Sequence, residues 1–191
     1  MKKILNVLLI LSFISLLSAC STAMVATTAA GNTLNAQGRS FSTNTSDQMI
    51  TYKIMSAIYK DPELYKSSRI VVVTFERNVL LVGQAPSEAL KQKAEQIVHS
   101  IPKIRGTYNA ISIGEPLNSY QQGNDGIITG NIKSRMFATT NLRGRNIKVI
   151  TENGVVYLMG AVTKSEGRVA AEVARNSTGV KKVVKLFEYT D

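Results

Sequence analysis

Two stretches of this chain, offset by 76 to 78 residues, carry the same succession of residue patterns, and that repeat restricts the folds open to it. Asp47-Gln-Met-Ile-Thr-Tyr-Lys-Ile54 aligns with Asp125-Gly-Ile-Ile-Thr-Gly-Asn-Ile132. Arg69-Ile-Val-Val-Val-Thr, a turn and Val79-Leu-Leu-Val-Gly83 align with Asn146-Ile-Lys-Val-Ile-Thr, a turn and Val155 to Gly160. A period that long, present twice, specifies two small domains rather than a solenoid. The expected organisation is a first unit over 47–114, a linker over 115–124 containing Pro116, Asn118 and Gly123, and a second unit over 125–191.

Each unit reads as α-β-β-α-β. In the second, Asp125 is the expected N-cap, and Ile128, Ile132 and Met136 form one apolar stripe at four-residue spacing. Ile50, Ile54 and Ile58 repeat that stripe in the first. Two strands follow, joined in the second unit by Glu152-Asn153-Gly154, whose Asn-Gly pair is a strong hairpin signal. A second helix is expected from Lys164 to about Ser177, with Val169, Ala170 and Val173 inward and Gly179 beyond its end. A last strand is expected over Val180 to Tyr189. The fold class is α+β, with a three-stranded mixed sheet covered by two helices in each unit. Gly83 and Gly160 read as turns ending strands, and Asp61-Pro62-Glu63 as a loop.

The first 46 residues have a different character. Lys2 and Lys3 precede an apolar run, Ile4 to Leu17, too short for a permanent membrane helix, and Leu17-Ser18-Ala19-Cys20 closes it. This is the layout of a lipoprotein signal peptide over 1–19, with Cys20 as the acylated (palmitate-bearing) residue. Residues 21–46, mostly Ser, Thr, Ala, Asn and Gly, are expected to form a tether with a typical reach of roughly 28 Å. Cys20 is the only cysteine, so the chain forms no internal disulfide and depends on packed cores.

Charge is uneven. Residues 47–115 hold nine Lys/Arg against seven Asp/Glu, whereas 125–191 hold eleven against six. For an exported protein beside a membrane, the anionic partner matching a basic second unit is a phospholipid headgroup rather than nucleic acid.

The α-β-β-α-β order, Asp in the first helix, Asn153-Gly154 in the hairpin and Gly179-Val180 before the last strand together resemble the BON domain. The first unit departs from the pattern at Glu76-Arg77-Asn78 and at Lys103-Ile104. Signal, tether and two such units resemble the dual BON-domain outer-membrane lipoproteins of the DolP type, relatives of periplasmic OsmY-like proteins. The resemblance implies a place on the periplasmic face of the outer membrane of a diderm bacterium, a role in envelope integrity, and binding of anionic phospholipids such as phosphatidylglycerol and cardiolipin through the first helix of the second unit. It also implies an alternative, an adaptor for the outer-membrane assembly machinery or a cell-wall-associated factor.

On a helical wheel, Ile127 and Phe137 point away from the Ile128, Ile132, Met136 stripe, with Lys133 between them. Ile127, where the family commonly has tryptophan, and Phe137 are the expected lipid wedge. Lys133, Arg135, Arg143 and Arg145 are the expected phosphate contacts. The same two apolar residues could instead form a seam against the first unit. The sole histidine, His99, lies on an expected helix among Lys and Glu, as a solvated side chain would. With no metal-ligand cluster, nucleophile set or phosphate-cradling glycine loop in the sequence, neither a cofactor nor an enzymatic activity is expected.

Overall fold

A computed structural model of the chain describes residues 41–191, with side chains from Thr45 onward. The expected signal peptide (1–19), Cys20 and residues 21–40 of the expected tether lie outside the described residues. In chain order the elements are α1 (Phe41–Lys60), α2 (Pro62–Ser67), β1 (Arg69–Phe75), β2 (Asn78–Ala85), α3 (Glu88–His99) and β3 (Gly106–Ile113) in the first unit. The second contains α4 (Ser119–Ala138), a 3-10 turn (Gly144–Asn146), β4 (Ile147–Glu152), β5 (Val155–Val162), α5 (Lys164–Arg175) and β6 (Lys182–Tyr189). Among the described residues no helix is long and apolar enough to cross a membrane.

Both sheets are mixed, as expected. β2 lies between an antiparallel β1 and a parallel β3, and β5 lies between β4 and β6 in the same way. The sequence of β2 and β5 explains their central place. Val79, Leu81 and Ala85 face the helices of the first unit, while Leu80 and Val82 face the other sheet. In β5, Val156, Leu158 and Val162 face α4 and α5, and Tyr157 and Met159 face the first unit. Alternation thus sends side chains into two different cores, and a near-continuous apolar run results. The two sheets pack against each other through Phe75, Leu80, Val82, Tyr157 and Met159, with the helices on the outside. The units therefore share a third core.

Polar groups fasten the same seam. Glu152, at the end of β4, accepts from Arg69 Nη1 at 2.8 Å and from Gln84 Nε2 at 2.7 Å. Gln84 Oε1 in turn accepts from the Leu117 backbone N–H at 2.9 Å, tying in the segment before α4. Burying this carboxylate costs little because it is paired and hydrogen-bonded.

Several elements differ from the sequence expectation. α4 begins at Ser119, capped by Asn118 in a capping box with Gln121, so only 115–118 of the expected linker is non-helical. Asp125 is consequently inside the helix and is not its N-cap. Its buried carboxylate accepts from Asn153 N at 2.7 Å and Gly154 N at 2.8 Å, clamping the β4–β5 hairpin to α4. Asp47 does the same for Glu76 N and Arg77 N, both at 2.9 Å. α1 starts at Phe41, which takes 41–46 out of the expected tether. Asp61-Pro62-Glu63 is no loop: Asp61 caps α2 by accepting from Glu63 N and Leu64 N, with Pro62 opening the helix. Gly83 and Gly160 lie within β2 and β5, not at turns. A Cβ there would come within 1.9 Å of Arg69 O and 2.7 Å of Asn146 O, so each glycine permits close approach of the antiparallel neighbour.

Candidate lipid-binding site

Burial of Asp125, Ile128, Ile132 and Met136 fixes the rotation of α4 about its axis. A 2.7 Å bond between the Thr129 and Thr151 hydroxyls adds to this, as Thr51 and Thr74 do for α1 at 2.8 Å. The opposite face is left to solvent, and on it Ile127 is 63% and Phe137 72% exposed. Tyr120 continues this face toward the N-terminus. Gly123, Gly126 and Gly130 lie between, and a Cβ on any of them would meet nothing. The helix thus offers a shallow, nearly bare surface with bulky apolar groups standing up from it.

Phe137 and Ile127 border different clefts. One, about 690 Å³, lies between the C-terminal half of α4 and β4, and its lining includes Lys133, Phe137, Arg145, Lys148 and, from the first unit, Val73. The Arg145 guanidinium sits 5.9 Å from the Phe137 ring centroid, a cation–π contact on an exposed ring. Lys148 Nζ donates to Thr74 O at 2.6 Å across the seam. The other cleft, about 430 Å³, has Ile127 beside the β4–β5 hairpin and Lys181. Neither apolar residue forms the seam between units, which runs sheet to sheet.

The four expected cations divide into two pairs. Lys133 and Arg145 are exposed beside Phe137. Arg135 points the other way and donates through Nη1 to Asn176 O at 2.6 Å and Ser177 Oγ at 2.9 Å, holding the C-terminus of α5. Arg143 makes a two-pronged pair with Glu166, Nε to Oε1 at 2.8 Å and Nη2 to Oε2 at 3.0 Å. The guanidinium pulls the Glu166 carboxyl down to about 2, helped by the Thr163 N–H that the same carboxylate accepts. Glu166 also completes the capping box of α5, so Arg143 is held in place by the fold. Arg135 and Arg143 thus bond within the protein, while Lys133 and Arg145 face solvent.

Lys148 is the residue that sequence reasoning missed. Strand alternation sends it off the Ile147–Val149 face, but only the stacking of two sheets turns that direction toward the cleft. The outward row of α1, Met49, Tyr52, Met55 and Tyr59, was also unread; Tyr65 of α2 packs edge-on against Tyr59 at 4.4 Å. His99 ends α3, exposed and 3.7 Å from Glu95. Among the described residues, no group of three or more His, Cys, Asp or Glu could hold a metal ion.

Comparison with known proteins agrees with the repeat. Residues 46–115 and 124–191 each match the BON domain. The chain is 31% identical over 175 residues to the outer membrane lipoprotein DolP of Haemophilus influenzae, covering 92% of this chain and 91% of that protein. It is 36% identical over 151 residues to a 21 kDa hemolysin of Actinobacillus pleuropneumoniae, covering 79% and 78%. To the osmotically-inducible protein Y of Escherichia coli it is 28% identical over 140 residues, covering 72% and 69%.

Proposed function

Because the chain belongs to the BON-domain family, with two copies of the domain in tandem, we propose that it is an outer-membrane lipoprotein whose second copy binds anionic phospholipid. Cys20 carries the acyl anchor and holds the folded part on the periplasmic face. The role is binding rather than catalysis, in support of envelope integrity. The observation that carries the lipid reading is Phe137, largely exposed on α4 beneath the Arg145 guanidinium, with Lys133 lining the same cleft. An apolar side chain inserted at headgroup depth and cations at the phosphates are the two halves of an interfacial contact. Each cation contributes about 1 kcal/mol near an anionic surface.

The test is vesicle sedimentation with the mature chain, Cys20→Ser, so that binding does not depend on acylation. Wild-type binding is expected to phosphatidylglycerol- or cardiolipin-containing vesicles and not to pure phosphatidylcholine. Ile127→Glu with Phe137→Ser is expected to weaken it by at least about tenfold. Undiminished binding by that double variant would sink the reading.

A further inference from the structure

The first unit carries its own cationic cleft, in a place where its backbone departs from that of the second. An open cleft of about 680 Å³ lies between α1, the β1–β2 hairpin and the α3–β3 turn. Lys53, Arg77 and Lys103 line it together with Met49, 53% exposed, and one acid, Glu76. The cleft of the second unit that contains Ile127 occupies the equivalent place.

Two of these cations occupy left-handed backbone. Arg77 has φ +64° and Lys103 φ +72°. The second unit has Gly154 and Gly179 at the matching positions, with φ +76° and +86°. The match is structural as well as sequential, since Arg105 N donates to Arg77 O as Lys181 N donates to Gly154 O. Glycine adopts this conformation without the steric cost a Cβ brings, so the first unit holds arginine and lysine against local preference. Strain kept at two turns that converge on one cleft points to function there.

The occupant follows from charge and from chain position. Arg77, Lys53 and Lys103 make no side-chain ion pair among the described residues. The nearby Asp47 carboxylate is engaged by the two hairpin N–H groups. Residues 1–46 contain no Asp or Glu, so the chain's own N-terminal segment cannot neutralise the cluster. That segment enters α1 at Phe41, four residues before Thr45 on the rim of the cleft. The 20 residues between Cys20 and Phe41 span at most about 70 Å, so with the acyl anchor proposed above the cleft lies within reach of the membrane.

We infer that Lys53, Arg77 and Lys103 form a second anionic-headgroup site, through which the first unit meets the membrane that holds Cys20, with Met49 at its apolar lip. The inference shares the lipid class of the proposed function but uses different residues, so the two fail separately. The experiment measures partition of the mature Cys20→Ser chain onto phosphatidylglycerol-containing and pure phosphatidylcholine vesicles. Lys53→Gln with Arg77→Gly and Lys103→Gly gives the turns the glycines of the second unit. This variant is expected to fold with an undiminished melting temperature and to bind anionic vesicles at least about tenfold more weakly. A second variant, Lys53→Gln alone, leaves both turns untouched and is expected to lose roughly fivefold. Binding within about twofold of wild type by a folded triple variant overturns the inference while leaving the α4 site standing. Loss in the triple variant with no loss in Ile127→Glu/Phe137→Ser supports this site and overturns the other. Equal binding to both vesicle types overturns both.

Discussion

In the first unit the hairpin turns on Glu76 and Arg77, and in the second on Asn153 and Gly154. Both pairs have positive φ, and both present two successive N–H groups to a buried aspartate one helix away. The clamp is therefore the constant and the turn residues are the variable. With Asp47 pulling on its N–H pair, the first unit tolerates side chains where the second has glycine. The outward faces of the two leading helices diverge in the same spirit. α1 presents Met49, Tyr52, Met55 and Tyr59, whereas α4 presents open glycines between Tyr120, Ile127 and Phe137. Shared cores preserve the fold, and surfaces released from packing are free to diverge.

Removing the clamp breaks this comparison most forcefully. Asp125→Ala leaves two sheltered N–H groups without their acceptor and is expected to cost about 3 kcal/mol in urea unfolding. Asp47→Ala is expected to cost at least as much, because its turn has no glycine to keep the left-handed conformation once the clamp is gone. A smaller loss at Asp47 than at Asp125 would mean that the first hairpin does not depend on its clamp.

The shared seam is the next target. Glu152→Ala removes the acceptor for Arg69 and Gln84, and a loss of about 2 kcal/mol is expected, since the stranded Arg69 is partly able to reach water. Because the two sheets bury one common core, wild type is expected to unfold in one transition by calorimetry, and the variant to broaden or split it. An unchanged single transition would show that apolar packing alone couples the units.

The smallest effect concerns the Arg143–Glu166 pair, which has no counterpart among the ion pairs of the described residues in the first unit. Glu166 is held at about 2, below its ordinary value of 4.5. Its contribution to stability is therefore whole above that ordinary value and is lost as pH falls through about 2. Arg143 is 63% exposed, so solvent screening limits the contribution to about 1 kcal/mol. Arg143→Ala is expected to lower stability by that amount at neutral pH, with the gap to wild type closing in acid. A gap that persists at pH 2 would assign the loss to packing of the arginine stem.

Much of the architecture was legible because it rests on local periodicity. The stripe Ile128, Ile132, Met136, the Asn153-Gly154 turn and the Val-rich strands each signal their element within a few residues. Asp47 and Asp125 were visible at helix starts, but their role was not. A carboxylate near the beginning of an apolar stripe looks like a cap until a hairpin 28 to 30 residues away is brought against it. The bonds that Arg135 and Arg143 make within the protein were hidden for the same reason: a basic residue near the outward face of α4 has the same letter whether or not it pairs with Ser177 or Glu166.

The sequence alone determined the two α-β-β-α-β units, their mixed sheets, and Ile127, Lys133 and Phe137 on the outward side of α4, because a helix stripe and a strand alternation are encoded by neighbours. Only the tertiary structure decided that the units share a core through their sheets, that Lys148 reaches the Phe137 cleft, and that Arg77 and Lys103 line one cleft with Lys53. Those outcomes depend on which surfaces come together across the repeat, and burial at such contacts is a property of the assembled layers rather than of any one segment.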